Sequence, residues 1–272
     1  MPFVTVQGAN LHYETFGTGP PLLFITGARG NGSAWHRAAQ YLSVHYTTIC
    51  YDRRNHSAST ITGPQDYDHR LDTDAEDAAH LIKHLSPSGT ASVVGNSSGA
   101  IVALRLLLNH PDCVDMLVAH EPPAFGALPA DFRAMGEAAV NHVYAQYRKS
   151  GPMAAMEEFT ASLGTGSEGA LMRKVMHPAT SLEMRANCLF WFEFELRQYP
   201  CSDVDVVGLV KLRGKFVPAA GTDSGDGVGV APISSIAAAA ERDVLRLPGG
   251  HVGFMAQPEA WVNALVNGIK AY

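Results

Sequence analysis

Ala91-Ser92-Val93-Val94-Gly95-Asn96-Ser97-Ser98-Gly99-Ala100-Ile101-Val102-Ala103 is the stretch that decides the fold class. Its first four residues form a largely apolar, β-patterned run. The residues after Gly99, continuing through Leu104-Arg105-Leu106-Leu107-Leu108, are patterned as a helix. Between them stands G-x-S-x-G, and between a strand and a helix that pattern means a serine nucleophile on a sharp turn. A side chain at either flank would collide with the neighbouring strand or helix, so glycine at 95 and 99 makes room. Ser97 is then expected at the tip of the turn. The helix beneath it offers free N–H groups and a positive dipole end to a developing oxyanion. Ser98 as the nucleophile would be out of register, inside the helix start.

Upstream of this stretch, Phe3–Gln7 and Leu11–Phe16 flank Gly8-Ala9-Asn10 as a hairpin. Leu22–Thr26 is an apolar run of the kind found in buried strands, and Tyr46–Tyr51 is a further β run. A helix is expected over Leu71–Leu85, with Asp72, Asp74, Glu76 and Asp77 in its first turns, where the helix dipole favours them. Downstream, strands read at Val114–Ala119, Lys215–Ala220 and Val244–Leu247, and a last helix at Pro258–Lys270. Strands alternating with helices imply βαβ units and an α/β protein with a mostly parallel sheet. From Phe125 to Pro200 the β signal vanishes. Asp131–Ser150, Met153–Ser162, Glu168–Met176 and Leu182–Arg197 read as helices there, with an aromatic run at Phe190–Phe194. One sheet needs both of its halves, so the expected organisation is a core of residues 1–124 and 201–272 carrying a helical cap, 125–200.

With 272 residues, 46% hydrophobic and 17% charged, the chain has ample material for a large core. A net charge of −6 and the lack of a Lys/Arg cluster argue against a nucleic-acid surface. No apolar run nears the roughly 20 residues that span a bilayer, and residues 1–6 lack the features of a signal peptide. Cys50, Cys113, Cys188 and Cys201 have neither C-x-x-C nor zinc spacing and read as thiols of a reducing compartment. The expectation is a soluble cytoplasmic protein that acts on a small molecule, with no nucleic-acid or membrane partner. Oligomeric state stays open, a homodimer included.

A serine hydroxyl needs a base. Of twelve histidines, His251 follows the strand ending at Leu247 and a Pro248-Gly249-Gly250 turn. That places it at the carboxyl edge of a parallel sheet, where Ser97 would also lie. The base needs an acid to orient it and to stabilise the imidazolium. Glu121 follows one strand in His120-Glu121-Pro122-Pro123; Asp223 follows a later one in Gly221-Thr222-Asp223-Ser224. The prolines bias Glu121 to an extended, stiff backbone suited to a fixed aim. Asp223, and Asp226 after it, sit in a soft glycine-rich loop. Glu121 is therefore the favoured acid, with Asp223 the alternative. For the oxyanion hole the candidates are the N–H groups of Ser98 and of Ala28 in Thr26-Gly27-Ala28-Arg29-Gly30. No metal or organic cofactor is called for.

The order of strands, Gly95–Gly99, the helical insertion and His251 make the chain similar to the α/β-hydrolases. The resemblance implies a mostly parallel eight-stranded sheet with helices on both faces and a helical cap. Asp52-Arg53-Arg54-Asn55-His56-Ser57-Ala58-Ser59 resembles that family's D-x-R-G-x-G-x-S loop, with Asn55 and Ser57 where glycines are usual. Ser97-Ser98-Gly99-Ala100, His120-Glu121-Pro122 and Leu247-Pro248-Gly249-Gly250-His251 together resemble the zearalenone lactonase group. That resemblance implies a triad glutamate after the sixth strand, at Glu121, and substrate contact by a cap tryptophan, at Trp191; Gly27, in the loop of Ala28, is a further candidate for substrate binding. Packing within the cap is the other reading of Trp191. The implied activity is ester or lactone hydrolysis through an acyl-enzyme on Ser97. A C–C bond hydrolase with the same triad and a non-catalytic small-molecule receptor are the alternatives. Dehalogenases and epoxide hydrolases place an aspartate where Ser97 stands.

Overall fold

The computed structural model describes residues 2–163 and 166–272. Its strands are β1 (Phe3–Val6), β2 (Ala9–Phe16), β3 (Pro21–Ile25), β4 (Thr47–Tyr51), β5 (Thr60–Ile61), β6 (Ala91–Asn96), β7 (Val114–His120), β8 (Phe216–Gly221) and β9 (Leu245–Leu247). They form one sheet in the order β1-β2-β4-β3-β6-β7-β8-β9, with β5 paired to β2. The β1–β2 hairpin and the β2–β4 and β2–β5 pairings are antiparallel. From β4 to β9 every pairing is parallel. The sheet thus has one strand more than expected, the two-residue β5; without it β7 is the sixth strand of the chain.

Period-two burial sends alternate residues of the central strands to two apolar layers. Leu23, Ile25 and Val93 pack against α2 (Arg70–Leu85), α3 (Ser98–Asn109), α8 (Val206–Lys211) and α9 (Val230–Ala239). Leu22, Phe24 and Val94 pack on the other side with α1 (His36–Leu42), α10 (Gly253–Ala256) and α11 (Pro258–Gly268). Trp35, stacked between Phe24 at 4.6 Å and Phe254 at 3.8 Å, anchors that second layer. The short α1 and α8 have no clear signal in the sequence; tertiary contacts stabilise single turns that propensity alone does not.

Between β7 and β8 the chain is helical: α4 (Ala130–Leu163), α5 (Gly166–Met176), α6 (Leu182–Phe194) and α7 (Gln198–Cys201). α4 is broken at Gly151, whose φ of 84° and ψ of 175° leave the helix before Pro152 restarts it. These helices share an apolar cluster of their own, including Phe125, Val140, Met156, Trp191 and Phe192. Residues 164 and 165 of the expected cap lie outside the described residues. No described helix is long and apolar enough to cross a membrane.

The acidic start of α2 is not chiefly a response to the helix dipole. Only Asp72 lies in the first turn. Asp74 is buried and accepts from Arg53 Nη1 at 2.6 Å, Arg70 Nη2 at 2.8 Å and the Tyr199 hydroxyl at 2.7 Å. Asp77 holds Arg54 through both oxygens. Arg53, fully buried, also reaches out of the core. Its Nη2 donates to Glu195, just past α6, at 2.6 Å and to the Gly27 carbonyl at 3.0 Å. Burial opposes its charge, but Glu195 and Asp74 outweigh that and hold the guanidinium pKa above its ordinary value.

Candidate active site

Between β6 and α3 the chain turns at Ser97, whose φ of 56° and ψ of −131° store strain of about 1–3 kcal/mol. A Cβ on Gly95 would stand 2.6 Å from the Gly99 carbonyl oxygen, and one on Gly99 would run into the Ile25 carbonyl. This is the steric reason for the paired glycines. Ser97 N–H donates to the His120 carbonyl at 3.0 Å, which ties the turn to the end of β7.

The backbone of Glu121 departs from the extended form expected before proline: its φ is 49°. Its N–H still donates to the Ala219 carbonyl at 3.1 Å, continuing the β7–β8 ladder. The left-handed turn there serves the carboxylate, which is directed to the end of β8. Glu121 Oε1 accepts from Gly221 N–H at 2.8 Å and from the Ser224 hydroxyl. Oε2 is paired with His251 Nδ1 at 2.7 Å. Glu121 is 1% exposed. Burial works against its charge, but the hydrogen bond and charge of His251, helped by Ser224, hold its carboxyl well below the usual range.

With Nδ1 committed to Glu121, Nε2 is the His251 nitrogen left for another partner. His251 and Ser97 line one cavity, together with Gly27, Ala28 and Asn96. Asn96 Nδ2 donates to the His251 carbonyl and to His120 Nδ1, each at 3.0 Å. His120 is thereby a neutral brace, its pKa pushed down to about 4 by burial.

The alternative acids stand elsewhere. Asp223 and Asp226 are exposed. The Asp223 carboxylate accepts from Thr222 Oγ1 at 3.0 Å, and its N–H donates to the Gly249 carbonyl. Of the acids weighed from the sequence, the fold brings Glu121 to His251. The soft loop contributes Ser224 instead.

Ala28 and Ser98 both face a second chamber that also contains Ser97. Ser98 opens α3, where no earlier carbonyl of the helix can accept its N–H. A Cβ on Gly27 would stand 2.9 Å from Ser97 Cβ, so glycine lets that loop approach the turn. Trp191 lines the second chamber and also packs, its ring 4.8 Å from Phe159 and 4.9 Å from Phe192. In the loop after β4, Asn55 and Ser57 adopt φ of 60° and 50° in place of the usual glycines. Ser57 offsets that cost with its hydroxyl, which donates to Glu183 and accepts from Asn187, both on α6. Among the described residues, no three His, Cys, Asp or Glu side chains gather to hold a metal ion.

Several site residues escape a reading of the sequence. Glu168 of α5 accepts from the N–H groups of Gly250 at 2.7 Å and Val252 at 3.1 Å. Ser224 and Asn96 bond Glu121 and His251 directly. Asn96 and Ser224 adjoin residues already singled out, and that adjacency was the available signal; nothing local marks Glu168.

A family model described as the alpha/beta hydrolase fold matches residues 20–173, more than half of the chain. The chain belongs to the alpha/beta hydrolase family. An uncharacterized hydrolase, YraK, of Bacillus subtilis (strain 168) is 26% identical to this hydrolase over 261 residues, covering 92% of this chain and 88% of that one. A putative carbamate hydrolase, RutD, of Escherichia coli is 31% identical over 120 residues, 43% of this chain and 42% of that one. Solved structures agree on the fold. The esterase of Exiguobacterium antarcticum superposes with a TM-score of 0.78 at 20% identity, over 98% of each chain. The enol-lactonase of Burkholderia xenovorans LB400 gives 0.71 at 18% identity, over 99% of this chain and 100% of that one.

Proposed function

We propose that this hydrolase cleaves a carboxylic ester or lactone of a small molecule through an acyl-enzyme on Ser97. The supporting observation is the pairing of His251 Nδ1 with the buried Glu121 carboxylate, on an imidazole that shares a cavity with Ser97. In this reading Ser97 Oγ attacks the carbonyl carbon while His251 Nε2 takes its proton. Glu121 steadies the imidazolium, and His251 returns the proton to the leaving alkoxide. The N–H groups of Ser98 and Ala28 hold the tetrahedral oxyanion. Water, deprotonated by His251, then releases the acid and regenerates Ser97. No step draws on a metal or organic cofactor.

Residues 125–200 act as a cap whose inner face, with Trp191, forms an apolar wall beside Ser97. Gly27 admits the substrate carbonyl next to the oxyanion donors. The glutamate acid fits the zearalenone lactonase resemblance. The esterase and the enol-lactonase among the structural neighbours support ester chemistry over C–C cleavage. Free cysteines at 50, 113, 188 and 201 suit a cytoplasmic setting.

The test is covalent labelling by a neutral alkyl fluorophosphonate, with the modified peptide identified by mass spectrometry. Labelling of Ser97 in the native chain, its loss in Ser97→Ala, and loss of ester turnover in that variant are expected. An unlabelled Ser97, or a Ser97→Ala variant that still turns over esters at the native rate, overturns the reading.

A further inference from the structure

Two chambers meet at Ser97, and their chemistry differs. One is walled by Phe125, Val140, Val143, Trp191 and Leu196. The other contains Arg29, next in sequence to Ala28, among Met172, Met176, Phe254 and Met255, with His251 at its edge.

Arg29 stands out among the arginines of the interior. Arg53, Arg54 and Arg70 each meet a carboxylate within 2.8 Å. Arg29 forms no ion pair with any described residue. Its Nε is buried without a hydrogen-bond partner, as are those of Arg53 and Arg70, but those two have carboxylates on their Nη groups. Its Nη1 meets Met255 Sδ at 3.9 Å, and a thioether is a weak acceptor. Met255 is itself a wall of the chamber, so the guanidinium lies along that wall. Burial depresses the pKa of Arg29, and the charge of Glu183 offsets this through space only in part. Glu183 is engaged by the Ser57 hydroxyl at 2.8 Å. Burying a guanidinium without a counter-charge is costly. The chain supplies carboxylates to the buried Arg53, Arg54 and Arg70 and none to this one, and its side chain borders the cavity that Ser97 lines.

We infer that Arg29 receives a carboxylate of the substrate, so that this enzyme takes esters or lactones anionic on one side of the scissile bond and apolar on the other. The planar fork of the guanidinium matches a carboxylate in geometry as well as charge. The substrate would lie across Ser97, its carboxylate in the methionine-lined chamber and its apolar portion against Trp191. This assignment rests on the acyl-enzyme reading of Ser97.

The experiment compares phenyl hydrogen glutarate with phenyl pentanoate, which differ by a carboxylate in place of a methyl group. The native enzyme is expected to favour the anionic ester in kcat/KM by about 10-fold to 100-fold, as a charged hydrogen-bonded contact implies. In Arg29→Met the ratio of the two kcat/KM values should fall by at least 10-fold, and in Arg29→Lys by less. In parallel, free glutarate should slow fluorophosphonate labelling of Ser97 in the native enzyme and not in Arg29→Met. An unchanged ratio in Arg29→Met, or a native preference for phenyl pentanoate, overturns the assignment of Arg29 alone, because Ser97 still reacts. If Ser97 is not labelled and neither ester is hydrolysed, the acyl-enzyme reading falls and this inference with it.

Discussion

Glu168 brackets His251. One carboxylate oxygen accepts the Gly250 N–H and the other the Val252 N–H, so the peptide groups on both sides of the imidazole are held from α5. Glu121 grips the ring itself from the sheet. The histidine is therefore located twice, by acids 47 positions apart (121 and 168). Replacing Glu168 with Ala should release the loop and lower kcat by about 10-fold or more through misplacement of the base. Glu168→Gln keeps one acceptor and should fall between Ala and native. Steady-state kinetics on a neutral phenyl ester decide it; native kcat in Glu168→Ala would show that the loop needs no second grip.

Glu121 and Asp223 make opposite predictions. Glu121→Gln turns an acceptor into an amide that cannot stabilise an imidazolium, and a loss of about 10³-fold to 10⁴-fold in kcat is expected. Asp223 is exposed and bonded to Thr222, so Asp223→Asn should stay within a few-fold of native. Both variants should be measured side by side, because a severe loss at Asp223 with a healthy Glu121→Gln reverses the assignment.

Acid should weaken the fold through two histidines that are buried neutral. Burial pushes the pKa values of His56 and His120 from 6.5 to about 4. Between those limits the unfolded chain binds protons that the folded chain does not. Stability from these groups is complete above pH 6.5, falls as pH drops towards 4, and changes no further below that. The drop amounts to about 3 kcal/mol for each histidine. Urea denaturation between pH 7.5 and 4.5, with NMR titration of both rings, checks the sign; rings that protonate near 6.5 in the folded enzyme would refute it.

A stabilising substitution is available at Glu241. α9 ends in a Schellman arrangement, with Arg242 N–H donating to Ala237 and Glu241 N–H to Ala238. The left-handed position, φ 53°, is held by an exposed glutamate. Glu241→Gly removes a Cβ penalty of about 1 kcal/mol and should raise Tm by about 2–4 °C without changing kcat. Calorimetry showing a lower Tm would mean that the glutamate makes a contact outweighing its backbone cost.

What was legible in the sequence follows from how local each signal is. The serine turn declares itself because strand, glycines and helix are contiguous. His251 and Glu121 could be found because parallel strands deliver their ends to one edge, so position after a strand is already spatial information. The backbone of Glu121 is not legible in this way: the extended form that Pro122 favours gives way to a left-handed turn, from which the carboxylate meets Gly221, Ser224 and His251 together. Asp74 and Asp77 look like dipole-compensating residues until their arginines arrive from the loop after β4. Glu168 belongs to a helix whose own pattern says nothing of a loop 82 residues downstream. Contacts of this kind exist only after the layers have packed.

Arg53 has a bearing on how this scaffold could be re-engineered. Its guanidinium ties Asp74 of the core to Glu195 beyond α6 and donates to the carbonyl of Gly27. Replacing the helical segment that carries Glu195 would remove one of the two carboxylates that meet this buried guanidinium and leave Asp74 as the other. A transplanted segment has to bring that acid with it if Arg53 is to keep both of its carboxylate partners and its hold on the Gly27 carbonyl.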